Sequence, residues 1–175
     1  MLDLKVRSGI CNGYEVKRST MILTIRKASK EDSSEIAKVL RTSFKVTYPT
    51  FPELHTPEED RNFIANVVFA KDDVFVAEVE GRIIGFIAFN AEYVDHLYLL
   101  PGSQRLGIGR QLLEIAMKAH SQLKLWTFQE NTGARAFYEK HGFIATQFTD
   151  GAGNEEKQPD VMYQWKRNST DTAIV

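Results

Sequence analysis

Short apolar runs and helical periodicity follow one another along the chain, and the order of these patterns predicts an α/β fold. Residues 74–79 and 82–89 are short, mostly apolar runs on either side of Glu80 and Gly81, which predicts two strands joined by a two-residue turn. Apolar positions recur every three to four residues at 36–44 and 108–119, which predicts two amphipathic helices. The rest of the chain also divides into segments with a helix pattern and segments with a strand pattern.

Turn and capping residues divide the rest of the chain into further elements. Thr56, Pro57 and Glu59 form a capping box with proline in the first turn, and they predict the start of a second helix. Gly142 ends another predicted helix at residues 131–141. The predicted strands cover residues 21–27, 74–79, 82–89, 93–100, 123–128, 144–149 and 161–166.

The order of these elements is β-α-α-β-β-β-α-β-α-β-β. It predicts a mixed, largely antiparallel sheet of about seven strands with helices on both faces. We expect one domain at residues 21–167, because the 175 residues are 43% hydrophobic and suffice for one core. Residues 1–20 match no element and are predicted to be an N-terminal extension. Residues 168–175 are predicted to be a frayed tail.

Composition narrows the classes of function. The formal net charge is −1 and the sequence pI is about 6.4, which argues against a general nucleic-acid or membrane-surface binder. The chain has a single cysteine, Cys11, which has no partner for an internal disulfide and favours a reducing cytoplasm. No run of about 18 apolar residues predicts a membrane-spanning helix, and the first residues lack the apolar core of a signal peptide.

The most informative motif is a glycine-rich turn between a predicted strand and a predicted helix. Gln104, Gly107 and Gly109 follow an apolar strand and immediately precede the helix at 108–119. Unpaired N–H groups at such a helix start form a cradle for an anion and suit a pyrophosphate. A P-loop is excluded because Arg110 follows Gly109, and a dinucleotide fingerprint is excluded because Leu112 replaces its third glycine.

A second motif about twenty residues later gives the turn a more specific meaning. It consists of a capped helix followed by a glycine stop, and its defining residues are Asn131, Ala134, Phe137, Tyr138, Lys140, Gly142 and Phe143. Together, the Gln-x-x-Gly-x-Gly turn and this Asn-x-x-Ala-x-x-Phe-Tyr-x-Lys-x-Gly-Phe pattern resemble the GNAT superfamily of acetyl-CoA-dependent N-acetyltransferases. The resemblance extends over about residues 21–166.

The resemblance implies a GNAT fold, acetyl-CoA as cofactor and acyl transfer to an amine by direct attack in a ternary complex. It implies that backbone groups of a splayed fourth strand bind the pantetheine arm, that the glycine-rich turn binds the pyrophosphate, and that Tyr138 is the general acid. The cofactor-binding residues expected from it are Leu97, Tyr98, Leu99, Gln104, Arg105, Leu106, Gly107, Ile108, Gly109, Arg110, Asn131, Phe137 and Tyr138.

The general base is less well defined by the sequence. Some relatives carry a glutamate on the fifth strand, but Trp126 stands at that position here. Asp95 is the preferred candidate because it lies close to the expected bulge of the fourth strand. His96 is the alternative, since an imidazole titrates near neutral pH. A third reading has Asp95 orient the amine while water removes the proton.

Two polar segments match the parts of GNAT enzymes that usually build the acceptor site. The acceptor-binding candidates are Tyr48, His55, His96, Glu155 and Glu156. The two glutamates suit a cationic amine, either of a small molecule or of a peptide. The histidines have no metal-ligand spacing, so no metal is expected. We also expect a monomer or homodimer, and no nucleic-acid or membrane partner.

Two other functions are compatible with the same motifs. One is a module that binds acyl-CoA without catalysis, and the absence of the fifth-strand glutamate is its only support. The other is a transferase that uses a larger acyl donor such as succinyl-CoA, because the sequence does not define the size of the pocket.

Overall fold

The computed structural model describes residues 2–3 and 22–168 of the chain, and its elements follow the predicted order. The strands are β1 (Leu2–Asp3), β2 (Ile22–Lys27), β3 (Asp73–Val79), β4 (Arg82–Phe89), β5 (Val94–Leu99), β6 (Gln122–Phe128), β7 (Ile144–Phe148) and β8 (Asp160–Lys166). The helices are α1 (Ser33–Thr47), α2 (Pro57–Phe63), α3 (Phe69–Lys71), α4 (Ile108–Ala119) and α5 (Thr132–Lys140).

The strands form two antiparallel sheets where the sequence predicts one. The first has the order β1-β2-β3-β4-β5 and the second the order β6-β8-β7. A parallel bridge between Tyr93 and Lys124 joins them, and the Lys124 N–H donates to the Glu92 carbonyl over 2.8 Å. Strands β5 and β6 are otherwise unpaired with each other along the described chain. The sheet therefore splits at this joint and leaves a gap between β5 and β6.

Two hydrophobic cores cover the two faces of the first sheet. Phe86 and Ala88 of β4 pack with Ile36 of α1 and Ile64 on one face. Ile87 and Phe89 alternate with them and face α4 on the other side. Consecutive side chains of a strand point to opposite faces, so a strand buried on both faces is apolar throughout. This explains the apolar sequence of β4.

The predicted start of the second helix is confirmed. The Thr56 hydroxyl accepts from the Glu59 N–H over 3.2 Å, and the Glu59 carboxylate accepts from the Thr56 N–H over 2.7 Å. The helix changes to π-helical geometry at Ile64–Val68 before α3. Hydrophobic periodicity does not distinguish this local widening from an ordinary helix, because Ile64 and Val68 still reach the core.

Several sequence predictions lie outside the described residues. They concern Met21 and Cys11, most of the expected N-terminal extension and residues 169–175 of the expected tail. From the extension, β1 pairs with β2 in the register Leu2 to Leu23. In the described part of the chain, no helix combines the length and the hydropathy needed to cross a bilayer.

Candidate active site

A bulge in β5 organises the centre of the site. Phe89 pairs with Val94 and Ala88 pairs with His96, so Asp95 is an extra residue on the β5 side. This bulge is the one expected near Asp95. An extra residue bends a strand and re-aims the side chains around it.

Beyond the bulge, backbone groups of β5 face the gap. The Leu100 N–H donates to the Ile84 carbonyl over 2.9 Å, so the N–H and C=O of Leu99 point away from β4. By the same alternation those of Leu97 also face the gap. The Leu99 carbonyl accepts from the Ser43 hydroxyl over 2.8 Å. Among residues 22–168, neither the Leu97 nor the Leu99 N–H has a backbone partner across the gap.

The glycine-rich turn forms the predicted uncapped helix start. Gly107 is the N-cap of α4 in the left-handed conformation, with φ of 79°, and no side chain caps this end. The first amide to bond back is that of Gln111, which donates to the Gly107 carbonyl over 3.2 Å. The N–H groups of Ile108, Gly109 and Arg110 are therefore available to an anion, at the positive end of the helix dipole.

Two cofactor candidates in this turn differ from a simple glycine-rich pattern. Arg105 adopts a left-handed conformation with φ of 62°. Its side chain, like those of Gln104 and Leu106, is exposed. Arg110 forms an exposed ion pair with Glu114 over 2.8 Å. Neither arginine side chain is held over the turn, so the outward-facing N–H groups of its backbone remain the feature that suits an anion.

Gly109 brings the two motifs into contact. A Cβ atom at this position would lie 3.3 Å from the Leu99 side chain and 3.6 Å from the Phe137 ring. The absence of a side chain therefore lets α4 approach both β5 and α5. In this way the turn, the open strand and the second motif form one site.

Tyr138 lies on α5 with 8% of its surface exposed. Its ring packs against Phe137 and Phe143, with centroid distances of 5.3 and 5.6 Å. Burial raises the pKa of Tyr138 well above its ordinary value, and the nearby Tyr48 adds to the rise. The hydroxyl is therefore protonated at neutral pH, as a proton donor must be.

Asn131 caps α5, as predicted, and also reaches a distant residue. Its Oδ1 accepts from the Ala134 N–H over 2.9 Å, and its Nδ2 donates to the Tyr48 hydroxyl over 2.7 Å. Both ends of the amide are thus engaged within the protein. Tyr48 follows the last residue of α1, so this bond ties the α1–α2 connection to α5.

The two predicted acceptor segments meet at one cleft of about 370 Å³. All five acceptor-binding candidates line it, namely Tyr48, His55, His96, Glu155 and Glu156. His55 Nε2 lies 3.3 Å from a carboxylate oxygen of Glu155, which links the segments across the mouth. The remaining wall is largely aromatic and aliphatic, with Phe44, Phe51 and Phe63 among its residues.

A second cavity of about 240 Å³ lies where β5 and β6 diverge. It is lined by Trp126, Thr127 and Phe128 of β6 and by Tyr98 of β5. The residues that line both cavities are Phe44, Tyr48, Tyr98 and Glu156. The gap and the acceptor cleft therefore meet at these four residues.

The two base candidates lie in different environments. His96 lines the acceptor cleft, and burial lowers its pKa to about 4. Asp95 is not part of the cleft lining; its carboxylate is 2.6 Å from Lys71 Nζ and accepts from Asn90 Nδ2 over 3.0 Å. In the described chain, no group of three or more histidine, cysteine or acidic side chains forms a metal site.

Comparison with known proteins identifies the family. A family model described as an acetyltransferase (GNAT) domain matches residues 70–145. The 5-NmdU N-acetyltransferase of Pseudomonas phage PaMx11 is 30% identical over 141 residues, which cover 75% of this chain and 95% of that protein. The chain belongs to the GNAT acetyltransferase family.

Two further similarities extend over most of this GNAT chain. The peptidyl-lysine N-acetyltransferase YjaB of Escherichia coli is 28% identical over 130 residues, or 72% of this chain and 85% of that protein. The crystal structure of the PaiA N-acetyltransferase of Thermoplasma acidophilum in complex with coenzyme A aligns with a TM-score of 0.66. It is 25% identical and covers 83% of this chain and 99% of that one. This GNAT chain is thus an acyltransferase that uses acetyl-CoA.

The geometry of this GNAT site fits that cofactor. The uncapped start of α4 and the left-handed residues before it leave N–H groups facing outward, a geometry that suits a pyrophosphate. The open backbone edge of β5 offers hydrogen bonds to an extended amide chain in the gap.

Of the side chains around the two cavities, sequence reasoning named Tyr48 and Glu156 as acceptor-binding candidates but missed Phe44, Phe128 and the ring of Tyr98. Tyr98 was expected to contribute only backbone groups, yet its ring faces both cavities. The signal was present, because His96 and Tyr98 share one face of β5 by their two-residue spacing. Phe44 and Phe128 had no such signal, since each looks like an ordinary core residue of its element.

Proposed function

We propose that this enzyme transfers the acetyl group of acetyl-CoA to a primary amine of a small molecule or peptide, by direct attack in a ternary complex. The observation that carries the proposal is the meeting of two cavities at Tyr48, Tyr98 and Glu156. An acyl group in the gap and an amine in the acceptor cleft are then neighbours. Proximity of this kind lowers the entropic cost of bringing two reactants together.

In this proposal the backbone does most of the binding. The N–H groups from Arg105 to Arg110 bind the pyrophosphate, with Gln104 at the start of the turn. Those of Leu97 and Leu99 bind the pantetheine arm and donate to the carbonyl oxygen, on which negative charge develops during attack. Phe137 packs beside Gly109 and supports this wall. Acetyl-CoA supplies the acyl group as a thioester.

Tyr138 acts as the general acid. Its raised pKa keeps a proton on the hydroxyl, which donates it to the departing sulfur. An acceptor that binds as an ammonium first releases one proton to water, and the neutral amine gives up a second proton as the new amide bond forms. The sulfur gains one proton as its bond to carbon breaks. The overall reaction therefore balances without an outside acid.

We propose that His96 contacts the acceptor amine and that water removes its proton, rather than Asp95. His96 lines the cleft, and its low pKa leaves the ring neutral at pH 7 and able to accept a hydrogen bond from the amine. The ion pair of Asp95 with Lys71 and its place outside the cleft favour a structural role. Asp95→Asn is then expected to change kcat by less than about tenfold, whereas loss of a true general base costs about 10² to 10⁴.

The names of the relatives support an amine acceptor. YjaB of Escherichia coli is named for peptidyl-lysine, and the phage relative is named for 5-NmdU. A cleft with an aromatic wall and carboxylates at its mouth suits the aliphatic stem and positive end of such an amine.

The experiment is thiol release from acetyl-CoA across a panel of peptides with free lysine or N-terminal amines, alkylamines, aminoglycosides and amino acids. We expect amine-dependent release, with initial-rate lines that intersect as a ternary complex requires. Tight binding of acetyl-CoA without release for any amine would instead indicate a non-catalytic acyl-CoA-binding module. A parallel series with succinyl-CoA tests whether a larger acyl donor is preferred.

A further inference from the structure

The acceptor cleft carries more negative than positive charge. Five carboxylates line it, those of Glu53, Glu59, Asp60, Glu155 and Glu156. Two permanent cations line it, Arg41 and Lys45. A carboxylate without a partner in the protein can interact with a cationic substrate.

Three of the five are already engaged within the protein. Arg41 pairs with Asp60 over 2.6 Å and with Glu53 over 2.9 Å, and Lys45 also pairs with Glu53. Glu59 accepts from the Thr56 N–H in the capping box of α2. These three carboxylates therefore already have partners within the protein, and both cations of the lining are paired with them.

Glu155 and Glu156 differ from the others because no lysine or arginine pairs with them in the described chain. The carboxylate of Glu155 lies 3.3 Å from His55 Nε2. Lys157 is the cation of their own loop, and its Nζ donates instead to the Ala152 carbonyl over 3.0 Å. Both carboxylates line the cleft, Glu155 exposed and Glu156 half-buried.

The loop that carries them is held in one conformation by its own hydrogen bonds. Asn154 Nδ2 donates to the Gln158 carbonyl over 2.7 Å and to Asp160 over 3.0 Å, and Asn154 Oδ1 accepts from the Gln158 N–H over 3.1 Å. Gly151 has φ of 79°, and a Cβ there would lie 2.2 Å from the Gln158 carbonyl. Such a loop presents its carboxylates at fixed positions, unlike an ordinary solvated turn.

Position distinguishes Glu156 from Glu155. In the described part of the chain, Glu156 is the single carboxylate that lines both cavities. Burial is the largest cause of the raised pKa of the Tyr98 hydroxyl, followed by Tyr48 and Tyr138. Glu156 lies close enough to add to the rise. The ring of His96 lies in the same cleft and forms no hydrogen bond with a described residue. His96 and Glu156 therefore offer a ring nitrogen and a carboxylate to a polar group of the substrate in one cleft.

We propose that Glu156 binds the ammonium group of the acceptor where the two cavities meet, and that Glu155 selects acceptors whose distal end is positive rather than negative. The inference rests on the proposed function and names its substrate class, a primary amine on an apolar stem without a neighbouring anionic group. Free amino acids, whose carboxylate adjoins the amine, fall outside this class. A desolvated ion pair at Glu156 and a longer-range interaction at Glu155 give the two residues different signatures.

Three five-carbon amines of equal length provide the test, with a distal ammonium, methyl or carboxylate group. They are 1,5-diaminopentane, pentylamine and 5-aminopentanoate. For the wild type we expect kcat/KM to fall in that order, by about 100-fold between the first and the last. Glu155→Gln should reduce this ratio about tenfold and leave pentylamine unchanged. Glu156→Gln should raise KM about tenfold for all three, with kcat within about threefold.

Glu80→Gln is the matched control, because Glu80 is exposed in the β3–β4 turn and lines neither cavity. It should leave every value unchanged.

An unaltered ratio between the first and the last amine in Glu155→Gln, together with an unaltered KM in Glu156→Gln, overturns the proposal. If acetyl-CoA binds but no amine is acetylated, the proposed function fails, and calorimetric binding of 1,5-diaminopentane still decides the inference. Binding that weakens in Glu156→Gln supports it, and equal binding in wild type and variant overturns it.

Discussion

Asn131 shows how one side chain connects the cofactor motif to the acceptor cleft. Asparagine at a helix start predicts a cap, and the bond from the Ala134 N–H confirms it. The bond to Tyr48 was not predictable, because it joins residues 83 apart in sequence. It depends on where α1 ends and on how its last residues pack, and neither is encoded near Asn131.

Replacing Asn131 by alanine should therefore remove two interactions. We expect the free energy of unfolding to fall by about 1–2 kcal/mol, from the lost cap and from the Tyr48 hydroxyl left without its donor. Tyr48→Phe removes the second bond alone and should cost about 1 kcal/mol. Urea unfolding of both variants and of the double variant measures the coupling. Strictly additive losses would show that the two side chains do not interact.

The turn before α4 illustrates what a motif predicts about an element and what it omits. The glycines predicted a backbone that presents N–H groups, and Gly107 at the N-cap agrees. The left-handed conformation of Arg105 was not anticipated, because arginine rarely adopts it. The turn keeps its shape at the expense of local strain at that residue.

Glycine at position 105 should relieve that strain. We expect Arg105→Gly to stabilise the fold by about 1 kcal/mol, less a few tenths for the added freedom of the unfolded chain. If the turn binds the pyrophosphate through backbone N–H groups, the Kd for coenzyme A should change by less than about threefold. Thermal unfolding and calorimetry measure the two effects. A loss of affinity of tenfold or more would instead assign the contact to the arginine side chain.

The split between β5 and β6 was the least predictable feature of the elements. Residues 93–100 and 123–128 both look like ordinary strands, and alternation alone does not tell whether two strands pair. The bulge at Asp95 and the single bridge at Tyr93 determine where pairing stops. Because the sequence does not show which residue is the extra one in the bulge, it leaves Asp95 and His96 as alternatives for one role. In the structure His96 lines the cleft, whereas Asp95 pairs with Lys71.

Across the whole molecule, Arg26 links the first sheet to the start of α1. Its guanidinium donates to Asp32 over 2.8 Å and to Glu78 over 2.9 Å. The hydrogen bond from Arg26 holds the pKa of Asp32 below its ordinary 3.8. A carboxyl with a lowered folded pKa stabilises the fold above 3.8, and this contribution is lost as the pH falls through the folded value.

Arg26→Met should therefore reduce stability in a pH-dependent way. At pH 7 we expect a loss of about 1 kcal/mol, kept small because the pair is partly exposed. The difference between wild type and variant should shrink as the pH falls from 3.8 toward the lower folded pKa of Asp32, because the carboxyl of the unfolded chain is protonated first. Urea unfolding from pH 7 to pH 3 measures it. A difference that stays constant over this range would show that packing of the arginine stem, and not charge, explains the loss.

At the scale of the whole fold, the two sheets diverge between β5 and β6, and we propose that Tyr138 donates a proton to the sulfur that departs there. The most direct test is the rate of thiol release from acetyl-CoA by Tyr138→Phe, with an acceptor identified for the wild type. We predict a loss in kcat of about 10² to 10⁴, with the Kd for acetyl-CoA unchanged, because phenylalanine keeps the packing and removes only the proton donor. Equal turnover by variant and wild type would contradict the role of Tyr138 as general acid.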